Sequence, residues 1–434
     1  MTTIGKLRTR FAERRVTVAL SLTALLLAGV PAMSRATAAT SEGLECASGS
    51  PTFNLTARDG YVSTPDGNSL YMWSYGTSSG KFQLPGPTLC VTSGDKVTVI
   101  LHNTLPEETS IVFPGQRGVK ADGDPAQPQL NGTGGMTSMV QVADANDGSV
   151  TYEFTAGSPG TYLYESGTDV NKQVQMGLYG ALVVRPAGHP DRVNDRADSK
   201  FNTDHEYVFL LSEVDPDLHL AVERHDPVDW SAYQARYYMI NGRSMPDTLA
   251  PNHASWLPNQ PYGALVHIKP YDASTNPDPA VIRYLNAGSV NYPFHPHGSD
   301  ERVVNIDGQA LAGSGAEDLS YLKYDIDVQP GQSVDAVMDW RDVEHWNAST
   351  NPIPTTIPAI TDQLLVGPDT WFSESPYLGT KNALPTNITD NNECGEYYHV
   401  AHSHALQQAT NYGATFGGMM TVFRIDPPAG CPAN

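Results

Sequence analysis

The chain has 434 residues, 40% hydrophobic and 17% charged, which is enough to bury two or three ordinary domain cores and excludes collagen-like, coiled-coil and largely disordered architectures. Lys and Arg number 26 against 47 Asp and Glu, a net charge of -21. So acidic a surface repels phosphate backbones and anionic lipid, and neither is an expected partner.

Residues 1–39 read as a signal peptide: Lys6, Arg8, Arg10, Arg14 and Arg15 precede the apolar run Val16 to Val30, and Ala36-Thr37-Ala38 follows. That run is shorter than the roughly 20 residues a membrane-spanning helix needs, so the mature chain is expected outside the cytoplasm, secreted or periplasmic, and off the membrane. Arg14-Arg15 also fits the twin-arginine route. Without residues 1–39 the balance is 20 basic against 46 acidic residues, a charge of -26.

Next in order come short β-rich runs such as Lys96 to Leu101 and Ala181 to Val184, bounded by turn residues among 38 Gly and 33 Pro. They predict an all-β fold of sandwiches or barrels. Two blocks repeat one series of landmarks. The first runs from Gly86-Pro87-Thr88 through Gly160-Thr161-Tyr162-Leu163-Tyr164 to Gly177-Leu178-Tyr179-Gly180. The second runs from Ile240-Asn241-Gly242 through Arg283 to Gly288 to Gly417-Gly418-Met419-Met420. The expected domains are 46–187 and 204–427, joined by a linker at 188–203, with 271–279 and 344–392 as insertions in the second. Four cysteines in an exported chain predict two disulfides. Cys46–Cys90 with Cys394–Cys431 is favoured because each pair ties a terminus to its own sheet, and a bridge between domains is the alternative.

Tyr292-Pro293-Phe294-His295-Pro296-His297-Gly298 is answered 107 positions later by His402-Ser403-His404. Residues i and i+2 of a strand share a face, so each H-x-H presents two imidazoles together, and four nitrogens suit a first-row transition metal. His399, three residues before His402, reads as a support for a ligand or a core residue. Asp169, Lys172, Met419, Met420, Tyr397, Tyr398 and Tyr412 read first as solvated loop or packing residues.

These motifs resemble those of the multicopper oxidases, built from cupredoxin domains, and their order is most similar to that of the two-domain laccases and copper nitrite reductases. The resemblance implies tandem cupredoxin-like Greek-key β-sandwiches and a copper-dependent oxidoreductase. It also implies a homotrimer whose metal cluster lies between one subunit's first domain and another's second. The departures matter as much. Ser403 stands where the family has the cysteine of its type 1 blue copper, Tyr292 and Gln408 stand at its type 1 histidines, and the axial position falls near Gly413. The first-domain H-x-H pairs are replaced by Ile111 to Gly115 and Tyr164 to Gly167. What the resemblance leaves is a metal site of His295, His297, His402 and His404, with Glu165 at a first-domain histidine position. Copper is the first choice of cofactor, with manganese, iron or zinc as further candidates, and a small molecule or metal ion is the expected substrate. The alternative is a non-enzymatic exported metal-binding or scaffold protein.

Overall fold

Thr52–Ser63 buries alternate residues, Phe53, Leu55 and Ala57, as a strand with one face on a core must. In the computed structural model the described residues are 43–77, 80–298, 300–315, 317–341, 365–366, 370–371, 397–415 and 417–426. The expected signal peptide, the Cys394–Cys431 pairing and most of 344–392 lie outside them. Contacts gather Thr40–Asn434 into one unit. Among the described residues no helix is long and apolar enough to cross a membrane.

The principal elements are β1 (Thr52–Ser63), β2 (Ser69–Thr77), β3 (Leu89–Thr92), β4 (Lys96–Asn103), β5 (Gly148–Thr155), β6 (Gly160–Glu165), α1 (Val170–Met176) and β7 (Tyr179–Arg185). There follow β8 (Glu206–Val214), α2 (Pro216–Glu223), β9 (Tyr237–Ile240), β10 (Val266–Ile268), β11 (Ala280–Asn286), β12 (Tyr292–Pro296), β13 (Glu301–Ile306) and β14 (Tyr321–Lys323). The last are β15 (Ile326–Val328), β16 (Ser333–Met338), β17 (Tyr397–Ser403) and β18 (Met420–Ile425).

The internal repeat has a topological counterpart. In the first half β1 runs parallel to β4, which pairs antiparallel with β5. In the second β8 runs parallel to β11, which pairs antiparallel with β16. Likewise β7 is antiparallel to β6 and parallel to β3, while β18 is antiparallel to β17 and parallel to β10. Each half thus pairs two mixed sheets around its own core, the tandem Greek-key cupredoxin architecture. Phe53, Val99, Tyr152 and Leu182 lie in the first core, and Phe209, Tyr284, Phe294 and Phe423 in the second. A third cluster, with Met72, Leu84 and Leu163 against Leu210, Met239 and Leu285, joins the halves.

Cys46 and Cys90 form a disulfide that ties the start of the described chain to β3. The segment 188–203, expected as a plain linker, is packed: Val193 and Phe201 are buried against Val281, Val304 and Val337. Two apolar anchors in a stretch otherwise rich in Pro, Gly and charge were too sparse a pattern to show this.

Two buried titratable groups shape the pH response. Burial raises the Glu301 carboxyl to about 8, with Tyr284 Oη donating to its Oε1 at 2.9 Å. Burial also lowers the His219 imidazole to about 4. For Glu301 the folded state keeps a proton that the unfolded chain releases near 4.5, so its stabilisation is full below that pH and is lost as pH rises through 8. For His219 the sign is opposite, and its effect is complete above its ordinary 6.5. Between pH 6.5 and 8, then, Glu301 alone of the two acts. Unfolding free energy is expected to fall across this window, by at most about 1.4 kcal/mol per pH unit. Urea titrations of parent and Glu301→Gln check it: the variant loses this part of the slope, and an unchanged slope contradicts the assignment.

Candidate metal centre

The centre is built on the sheet β10-β18-β17-β12-β15. Along β12, Tyr292 and Phe294 point into the second core, so by the two-residue period His295 points out. Along β17, Ala401 and Ser403 are buried and His402 faces the same way as His295. The register pairs Phe294 with Ser403 and His295 with His402, placing the two imidazoles side by side. Backbone bonds fix the remaining pair: His297 N donates to Val400 O at 2.9 Å and His404 N to Pro293 O at 2.7 Å.

The four rings form one group. Centroids lie 4.7 Å apart for His295 and His297, 5.2 Å for His295 and His404, 5.2 Å for His297 and His402, and 5.8 Å for His402 and His404. His295 Nδ1 donates to Tyr324 O at 2.6 Å and His402 Nδ1 to Ser403 O at 2.9 Å. Each bond leaves Nε2 as the lone-pair nitrogen, the usual way a ligating histidine is oriented. His297 Nε2 and His402 Nε2 are 3.2 Å apart. Two nitrogens on one tetrahedral ion, at bond lengths of about 2.0–2.1 Å, would stand about 3.3 Å apart. Burial is the first cause lowering the His402 pKa; the Ser403 carbonyl opposes it, and the other three imidazoles add to it. The ring is therefore held neutral, as a ligand must be. Among the described residues no group of three or more His, Cys, Asp or Glu side chains is drawn together closely enough to hold an ion as it stands.

His399 is buried and packs on the turn after the first pair: a Cβ on Gly298, whose φ is +83°, would lie 2.1 Å from His399 Cε1. That close approach is why glycine follows the H-x-H. Glu165 lies elsewhere. It ends β6, paired with Tyr179 and bridged to Val112, and among the described residues makes no hydrogen bond or ion pair with the histidines. Burial alone raises its pKa.

The positions that depart from the family pattern are filled by other interactions. Ser403 Oγ donates to Gln408 Oε1, and Gln408 Nε2 donates to Asn291 O at 3.2 Å, with both side chains buried. In the first half Ile111 and Phe113 are buried, and the Phe113 ring stands 4.8 Å from that of Phe154. Beside them lies a network of hydroxyls: Ser110 Oγ is 2.8 Å from Thr168 Oγ1, and Thr109 and Ser166 both donate to Gln173 Oε1. Lys172 pairs with Glu107 at 2.6 Å and Asp169 at 3.0 Å, while Met419 and Met420 are core residues and Tyr398 is buried. Tyr412 is half-exposed, with the Arg236 guanidinium 4.7 Å from its ring centroid.

Asp325, in the segment just before β15, was not among the expected site residues. Burial raises its carboxyl pKa, and His295 and His404 oppose this. No motif of its own marks it, and its place next to the strand that pairs with β12 comes only from the fold.

An all-β chain of two mixed-sheet sandwiches with imidazoles on an outer sheet face is a cupredoxin-fold protein, and comparison with known proteins agrees. The multicopper oxidase family model matches residues 77–189. The multicopper oxidase CTB12 of Cercospora beticola is 32% identical over 35% of this chain and 21% of its own length. An L-ascorbate oxidase of Cucumis sativus is 25% identical over 64% of this chain and 45% of its own. The chain thus spans less than half the length of these relatives. Among solved structures, a blue copper oxidase from Nitrosomonas europaea shares the fold, with a TM-score of 0.57 at 18% identity over 86% of this chain and 85% of that one. Residues 77–189 are thus similar to a multicopper oxidase domain, and the fold is shared with these oxidases.

Proposed function

We propose that this chain is an exported oxidoreductase that holds a transition metal, copper first, through His295, His297, His402 and His404, and that has no type 1 blue copper site. The observation that carries the reading is the 3.2 Å approach of His297 Nε2 to His402 Nε2, together with the carbonyl-bound Nδ1 atoms of His295 and His402. A transition metal at this position supplies Lewis acidity and, for copper, iron or manganese, one-electron chemistry. The chain's own part is to orient two imidazoles through Tyr324 O and Ser403 O, and to keep His402 neutral by burial. Ser403 lacks the soft thiolate of a blue copper site, and its hydroxyl is committed to Gln408. The expected substrate is a small molecule or metal ion able to approach the outer sheet face.

Two cupredoxin-like domains, 46–187 and 204–427, joined at 188–203, rest on the repeated topology, and export rests on the basic and apolar pattern of residues 1–39. A closed ring of three chains would bring Glu165 of one copy to the histidines of the next. It is supported by the partly buried, otherwise unpartnered Glu165 carboxyl and by the exposed Leu322 and Tyr324 beside the histidine face. Light scattering is expected to give three chains per particle, and a monomer at working concentration removes Glu165 from the site.

The second reading, a metal-binding or scaffold protein without catalysis, is favoured by the absence of a closed ligand set among the described residues. Elemental analysis of purified protein, followed by oxygen uptake with phenols, Mn(II) or Cu(I), separates the two. The protein is expected to contain metal, to lack intense blue absorption, and to melt earlier with chelator; at thousandfold excess over Kd the bound metal adds about 4 kcal/mol. Replacing His402 and His404 together by Ala abolishes the metal and the chelator effect, whereas His253→Ala, at an exposed histidine paired with Glu45, leaves both. A double variant with as much metal as the parent overturns the assignment.

A further inference from the structure

We propose that Asp325 is a further ligand of the centre, giving a set of four imidazoles and one carboxylate that favours a divalent ion over Cu(I). The inference rests on the metal-site reading above. β12 pairs antiparallel with β15 through Tyr292 with Val328, Pro293 with Asp327 and Phe294 with Ile326. Asp325 immediately precedes Ile326, the last residue paired in this ladder, and Tyr324 just before it holds His295 by its backbone carbonyl. On the other side of β12 the register sets His402 opposite His295. Directly opposed residues in antiparallel strands share a face, with Cβ atoms about 4.5–5.5 Å apart. His402 and His295 thus stand on the outer face of adjacent strands, because Phe294 and Ser403 on the next rung are buried, and Asp325, next to the buried Ile326, falls on the same side by the two-residue period.

Asp325 also has the condition of a donor awaiting a partner. Its Oδ1 is buried and makes no hydrogen bond. A bare carboxylate oxygen removed from water costs free energy unless something positive meets it. His295 and His404 are among the groups near enough to influence its carboxyl. Its neighbour Tyr324 holds His295 by the backbone carbonyl and sets its ring 5.8 Å from the imidazole, so one short segment orients a histidine and presents the carboxylate. Among the described residues β15 is the edge strand of its sheet.

Carboxylate oxygen is a harder donor than imidazole nitrogen, so its loss weakens Cu(II) more than Cu(I). The full-length protein, stripped and reloaded with copper alone, is titrated against competing chelators in each oxidation state. Asp325→Asn is expected to lose tenfold or more in Cu(II) affinity with a smaller loss for Cu(I), raising the Cu(II)/Cu(I) potential by about 59 mV for each tenfold difference. Asp325→Glu, which keeps the carboxylate, recovers most of the affinity and the potential. Equal losses for the two ions mean a structural role and overturn the proposal, as does an Asn variant indistinguishable from the parent. Copper binding that survives Asp325→Asn but is lost on replacing His402 and His404 by Ala overturns Asp325 alone. A parent that takes up no copper overturns this proposal together with the copper reading beneath it.

Discussion

The register of β12 between β17 and β15 is the constraint on which the site depends. Side chains alternate across a strand, so a slip of one residue would turn His295 and Asp325 into the core and Phe294 out to solvent. Such a slip is opposed by what the inner face buries: Tyr292, Phe294, Ile326, Val328 and Ala401 all lie in the second core. Within that core the Phe294 ring stands 5.5 Å from both Phe209 and Tyr284. Burying side chains of this size is worth about 1.5–3 kcal/mol each. The apolar face thus fixes where the polar groups stand.

A second constraint joins the halves. Arg283, fully buried, reaches Glu206 Oε1 at 2.7 Å and Asp335 Oδ1 at 3.1 Å, and donates to Thr161 Oγ1 at 3.2 Å. Thr161 lies on β6 of the first half, and its hydroxyl also donates to Asp335. Burial works against the guanidinium charge, and the two carboxylates more than offset it. Such a network adds little stability over an apolar replacement, but removing one member costs about 3–5 kcal/mol because it strands a buried charge. Its role is directional: it allows few ways for β6 to dock on β11 and β16. Glu206 also reaches Arg185 at 2.7 Å, so the end of the first half is held to the start of the second.

Much of this was legible in the sequence where a residue type and a short period carry the information. The all-β class, the repeat and the nearness of two H-x-H pairs follow from alternation, turn residues and spacing, whereas the Cys46–Cys90 bridge was one of three pairings the sequence allowed. Asp325 was not legible, because its position depends on a ladder between strands about 30 residues apart. The Ser403–Gln408 bond shows the reverse case. Both positions stood out as departures from a family pattern, but only the fold shows the two side chains satisfying each other. Glu165, expected only from the family resemblance, ends β6 opposite Tyr179, away from the two histidine strands. The packing of Val193 and Phe201 depended on grooves in the second half that local composition does not describe.

On the proposed reading His295, His297, His402 and His404 form one metal centre, and the hydrogen-bonded Ser403 and Gln408 hold no copper. Anomalous scattering from copper-soaked crystals, with data on both sides of the copper edge, tests both parts in one map. A peak is expected between His297 Nε2 and His402 Nε2, within bonding distance of His295 or His404, and none between Ser403 and Gln408. A peak at Ser403 and Gln408, or none at the histidines, would contradict it.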